Sequence, residues 1–126
     1  MASDYRGKNK LHFGLRYALN GIKLAVMSER NIKIHFIAAL LVVILGVVLS
    51  VSPIEWAVLA LTIGAVISME MMNTALEKAL DYVEPNHQPK IGIAKDMAAG
   101  AVLITAIIAL FIATIIFVPK IITWLS

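Results

Sequence analysis

Glu70, Asn73, Thr74, Glu77 and Asp81 follow one another at spacings of three and four residues. At about 100° per residue, an α-helix gathers all five within roughly a third of its circumference. Two or three carboxylates then share one face, and the first continues directly from an apolar run of membrane length, Ala57 to Met69. An acid at mid-bilayer costs roughly 3 kcal/mol, and much less near the interface. Such a face needs a counterpart: a metal, a partner or water. Lys95-Asp96 heads the next apolar run, and Glu29 stands just before the first. Carboxylates from two helices with a nearby Lys suit Mg²⁺ and phosphate together, because the ion takes hard oxygen ligands and bridges substrate phosphates. Glu70, at the apolar edge, is a candidate base for a lipid hydroxyl. Phosphoryl transfer asks for little beyond positioning, charge neutralisation and a proton acceptor. The plainer alternative is that these acids pair with Lys78, Lys90 and Lys95 at the membrane edge.

The elements that must position these groups follow from composition and pattern. Of 126 residues, 60% are hydrophobic and 15% charged, with a mean hydropathy of +0.88. That balance predicts a small all-α integral membrane protein. There is no cysteine, so no disulfide framework, thiol nucleophile or thiolate metal site. No apolar signal-type stretch precedes the first long hydrophobic run. Residues 10–30 carry Leu11, Leu15, Ala18, Ile22 and Val26 at helical spacing, with Lys10, Asn20 and Lys23 elsewhere on the wheel. A basic amphipathic helix of this kind lies in the membrane interface. Three spans are predicted at 32–51, 56–81 and 97–118, each long enough to cross.

Between these elements the breakers are polar. Ser50 to Glu55 forms a tight connection with Pro53 in the turn or first helical turn. Trp56 falls at aromatic-belt depth. Residues 83–94 read as a polar loop, and Pro119 as the stop of the last span. Ala98, Ala99, Gly100 and Ala101 form a small-residue packing face. Glu29 can be a surface acid pairing with Arg30 or Lys33, and His35, alone at the head of the first span, reads as structural. Seven of the eleven Lys and Arg precede residue 34, and Lys90 and Lys95 flank the second loop. The positive-inside rule therefore expects the N-terminus and the 82–96 loop in the cytoplasm and the C-terminus outside. The acidic face then meets ATP.

No Walker A sequence, kinase-type Gly-rich loop, His-rich metal motif or Ser-His-Asp arrangement is present. Glu70-Met71-Met72-Asn73-Thr74-Ala75-Leu76-Glu77, followed by Ala94-Lys95-Asp96-Met97-Ala98-Ala99-Gly100-Ala101-Val102, instead resembles the bacterial integral-membrane diacylglycerol kinase/undecaprenol kinase family. The likeness extends to Glu29-Arg30-Asn31 and His35 and covers nearly the whole chain. It implies a homotrimer of three-span subunits, each with an amphipathic surface helix, that uses Mg²⁺ and ATP to phosphorylate a membrane lipid alcohol. The resemblance places the catalytic base at Glu70 and the metal carboxylates at Glu29 and Glu77, which also lie at the nucleotide. It puts Lys95, Asp96, Lys10 and Tyr17 at ATP. In the loop Pro85-Asn86-His87-Gln88-Pro89, where the family often has a Tyr-His or His-Pro pair, Asn86 and either His87 or Gln88 take the nucleotide-contacting place. Asn73, Ala99 and Trp56 fall on the side of substrate and helix positioning.

Asn73-Thr74-Ala75 and Ala98-Ala99-Gly100-Ala101-Val102 resemble the Gram-positive, undecaprenol-kinase branch. The expected reaction is phosphorylation of undecaprenol. Diacylglycerol phosphorylation at the same site is the alternative within the enzyme class. A small ion-coupled transport subunit is the alternative outside it, although transporters place acids nearer mid-membrane.

Overall fold

The computed structural model describes residues 10–126, with side chains from residue 14 onward. It consists of four helices, α1 (Lys10–Ser28), α2 (Arg30–Val48), α3 (Pro53–Val83) and α4 (Pro89–Leu125), with no strand among the described residues. Helices α2, α3 and α4 are each long and apolar enough to cross a membrane. At 1.5 Å per residue, α3 is about 46 Å long, against a hydrocarbon core of about 30 Å. One end of α3 must therefore stand in the headgroup zone or beyond it, and three of its four acids, Glu70, Glu77 and Asp81, lie toward its C-terminal end.

A single residue separates α1 from α2. Glu29 is extended, with φ −111° and ψ 119°, and is the N-cap of α2. At the opposite end of α2, Ser50 takes φ 52° and turns the chain into α3. There Ser52 and Glu55 form a reciprocal capping box: the Ser52 hydroxyl accepts from the Glu55 N–H at 3.2 Å, and a Glu55 carboxylate oxygen accepts from the Ser52 N–H at 2.7 Å. Two orphan donors at the helix start are thereby satisfied. The same Glu55 reaches Lys120 of α4 at 3.0 Å and ties two helices at this end.

The core of the chain sits near this end. Val51, Leu59, Ile116 and Phe117 are buried, with Val42, Leu45, Trp56 and Ile112 packed around them. Trp56 is half-buried against α2, where its indole fills the space left by Gly46; a Cβ at that glycine would lie 2.6 Å from the ring. Trp56 thus packs α3 against α2. Trp56 lies about 21 Å along α3 from Glu70.

Two proline expectations also change. Helix α4 begins at Pro89 rather than Met97, so the loop shrinks to residues 84–88. Proline at the first helical position gives up an N–H that has no intrahelical partner anyway. Helix α4 also runs through Pro119 to Leu125 instead of stopping there. The lost backbone bond is tolerated in a membrane helix when nearby groups re-satisfy the freed carbonyls. Here the Lys120–Glu55 bridge holds the continuation past the proline. The first span starts at Arg30 and ends at Val48, and the second runs from Pro53 to Val83.

Candidate active site

Val66, Glu70 and Thr74 recur every four residues along α3 and form its buried stripe at this end. A carboxylate on that stripe is withdrawn from water by the same periodicity that buries Val66: Glu70 is 4% exposed. Its closest ionisable neighbour is on α2, where His35 Nε2 lies 4.0 Å from a Glu70 carboxylate oxygen. His35 is on the inward face of α2, one turn after the fully buried Ile32. The expectation of a merely structural interfacial histidine overlooked this pairing. The available signal was its register with Ile32, Ala39 and Val42, which makes it part of the packed face.

Next to this pair is an apolar cavity of about 260 Å³ between three helices. Its walls are Ala38, Ala39 and Val42 of α2, Leu59, Ile63 and Val66 of α3, and Ala106 and Ala109 of α4, and His35 forms one end. The small side chains on α2 and α4 leave the space open. One turn beyond Glu70, the side-chain oxygen of Asn73 is buried and has no hydrogen-bond partner within the chain. The imidazole on the cavity wall is thus the group that faces the buried carboxylate, and an orphan acceptor stands one turn farther along α3.

The remaining predicted groups gather at two places farther toward the polar end. At the α1–α2 junction, Glu29 pairs with Lys78 of α3 at 2.7 Å, which corrects its expected pairing with Arg30 or Lys33. The Lys78 hydrogen bond holds the Glu29 carboxyl below its ordinary value of 4.5; partial burial opposes this, and the lysine's charge and the Ser28 hydroxyl add to the lowering. Glu77, the residue before Lys78, is half-buried. Among the described residues, no three His, Asp or Glu side chains converge as a metal site.

The second place is a polar cleft of about 250 Å³ lined by Asp81, the 84–88 loop, Lys95 and Asp96. Lys95 forms an ion pair with Asp81 across α3 and α4. Glu84 orders the loop by accepting from the Asn86 N–H at 3.1 Å and from the Gln88 side-chain amide at 3.2 Å. Asn86, His87, Gln88 and Asp96 are exposed. Tyr17 is exposed on α1, in a shallow depression with Arg16, Asn20 and Lys23. Ala99 is exposed on α4. The Lys10 backbone is in α1, but its side chain lies outside the described ones.

The sequence model of a family described as prokaryotic diacylglycerol kinase matches residues 16–117. The chain belongs to the prokaryotic diacylglycerol kinase family. It is 38% identical over 120 residues to the undecaprenol kinase of Bacillus subtilis, covering 94% of this chain and 98% of that protein. It is also 38% identical over 109 residues to a diacylglycerol kinase of Synechocystis, covering 86% of this chain but 62% of that longer protein. A diacylglycerol kinase of Helicobacter pylori is 33% identical over 107 residues, covering 85% and 84%. Family and relatives make this chain a lipid kinase of the membrane, and the ion-transport alternative falls away.

Proposed function

We propose that this lipid kinase uses Mg²⁺ and ATP to phosphorylate a polyisoprenol, undecaprenol, on the cytoplasmic side of a bacterial membrane. The observation that carries this reading is the buried Glu70 beside His35, which lines an apolar three-helix cavity. A lipid chain entering that cavity brings its terminal hydroxyl to the carboxylate. Glu70 takes the hydroxyl proton as the lipid oxygen attacks the γ-phosphorus. The orphan oxygen of Asn73 orients that hydroxyl beforehand, since an acceptor one helical turn away needs an O–H or N–H.

ATP is assigned to the polar end of α3 and α4. The exposed loop residues Asn86, His87 and Gln88, with Asp96, would contact it, and the family resemblance adds Tyr17 and Lys10. Lys95 exchanges Asp81 for phosphate oxygens and neutralises their charge. Glu29 and Glu77 are hard oxygen donors of the kind Mg²⁺ takes, and two suffice because the ion completes its shell with phosphate and water. They would hold it once Glu29 exchanges Lys78 for the ion. When bound, Mg²⁺ offsets the charge of the triphosphate. Helix α1, whose Leu15, Leu19 and Leu24 are exposed, rests on the membrane surface. We assign a homotrimer, with small residues such as Ala99 and Gly100 at close helix approaches.

The test is transfer of labelled γ-phosphate in detergent micelles to undecaprenol and diacylglycerol side by side. Preferential labelling of undecaprenol is expected. Preference for diacylglycerol would select the second reading, which the names of the Synechocystis and Helicobacter relatives support.

A further inference from the structure

We infer that His35 is the proton-relay partner of Glu70: it fixes the carboxylate's position and removes the proton that Glu70 takes from each substrate molecule. The inference rests on the lipid-kinase reading and deepens it. In each turnover the substrate O–H bond breaks and a new O–P bond forms to the γ-phosphorus. The bond from that phosphorus to the β-bridging oxygen breaks, and ADP leaves with its electron pair. The substrate proton remains on Glu70. A second turnover is possible only after that proton has reached water.

The geometry offers one route. The Glu70 side chain is 5% exposed, whereas His35 is 25% exposed and 4.0 Å away, so the imidazole spans from the buried carboxylate to the outside. The gap exceeds a hydrogen bond by about 1 Å, and catalytic hydrogen bonds of this kind often tighten only when substrate is bound. The other groups near Glu70 do not serve. Asn73 and Thr74 do not titrate in the working range. Thr62, the other polar side chain on the cavity, donates its hydroxyl to the Val58 carbonyl at 2.7 Å. The α4 residues on the cavity are apolar. Glu29, one helical turn and a half earlier in the chain, is held by Lys78. Among the described residues, Glu70 is the only acid within ion-pair distance of His35.

His35→Gln and His35→Ala, in the full chain in micelles with undecaprenol and diacylglycerol, test the relay. Gln retains an N–H near the Nε2 position but cannot carry a proton. The expected result is a loss of kcat of roughly 100-fold in both variants, as for removal of a positioned proton-transfer group. KM for ATP should stay within about twofold, and the kcat–pH profile should change shape in His35→Gln. Added imidazole should restore part of the His35→Ala rate. Helical circular dichroism and melting in the same micelles show that His35→Gln is folded. Wild-type kcat and pH profile in a folded His35→Gln would overturn the relay, as would His35→Ala that imidazole does not rescue. If the wild type transfers phosphate to neither lipid, the lipid reading and the relay fall together. If Glu70→Gln is inactive while both His35 variants are normal, only the relay falls.

Discussion

Glu70 differs from its neighbouring acids in what surrounds it rather than in its chemistry. It shares a helical face with Glu77 and Asp81, but only Glu70 lies on the buried stripe, while Asp81 is exposed and spends its charge on Lys95. Glu70→Gln preserves shape and should leave the helices intact by circular dichroism, yet lower kcat by about 10²- to 10⁴-fold, the range for a lost general base. The shared face was legible in the sequence because spacings of three and four are a helical signature. The partner of each acid was not, since pairing depends on which helices meet: Glu29 binds Lys78, distant in sequence, instead of its neighbours Arg30 or Lys33. That pair has a pH signature. The Glu29 carboxyl is lowered in the folded chain, so its contribution is complete above the ordinary value of 4.5 and is lost as pH falls through the lower folded value. Removing the ammonium with Lys78→Met should move the Glu29 titration, followed by NMR of labelled glutamate, back up toward 4.5. An unmoved midpoint would show that the pair does not persist in solution.

At the scale of elements, the ends of the helices decide where the site stands. The Ser52–Glu55 capping box fixes where α3 begins, and Glu70 is about 26 Å farther along the axis, close to the opposite edge of a 30 Å hydrocarbon core. Such a cap was readable from Ser52-Pro53-Ile54-Glu55, and so was the helix that follows. The prolines were less readable. Pro89 and Pro119 both look like breakers, but one occupies a first helical position and the other lies inside a helix whose continuation is tied to α3 by Lys120–Glu55, a contact that exists only after packing. Trp56 and Gly46 show the same limit, because a tryptophan near an interface and a glycine in a span give no sign that one fills the other's vacancy. Gly46→Val should force the indole out and destabilise the chain by about 1–3 kcal/mol, seen as earlier melting in micelles. Lying far from Glu70, it should leave kcat per folded molecule within about twofold. A large fall in kcat at unchanged stability would mean that α2–α3 packing at this end reaches the catalytic groups.

On the scale of the whole molecule, the ion pairs align the three spans as consecutive antiparallel helices. Glu29–Lys78 and Lys95–Asp81 join the N-terminal ends of α2 and α4 to the C-terminal end of α3, while Lys120–Glu55 joins the opposite ends. Arg30, Lys33, Lys78, Lys90 and Lys95 therefore stand at one end of the bundle, and Lys120 alone stands at the other. Cationic residues near short loops are retained on the cytoplasmic side during insertion, so the end with the acids and the polar cleft should face the cytoplasm. Large apolar residues such as Ile37, Leu61, Leu110 and Phe111 are exposed along the middle of the bundle, a surface suited to the hydrocarbon core. Because the chain has no cysteine, orientation can be read with single reporters at exposed positions outside the catalytic set. Ser126→Cys should react with a membrane-impermeant maleimide in spheroplasts, and Val83→Cys only after the membrane is opened. The reverse pattern would put Glu70 and the cleft on the side away from ATP. It would then contradict the proposed reaction even if the purified protein were active in detergent, because micelles give the nucleotide access to both ends.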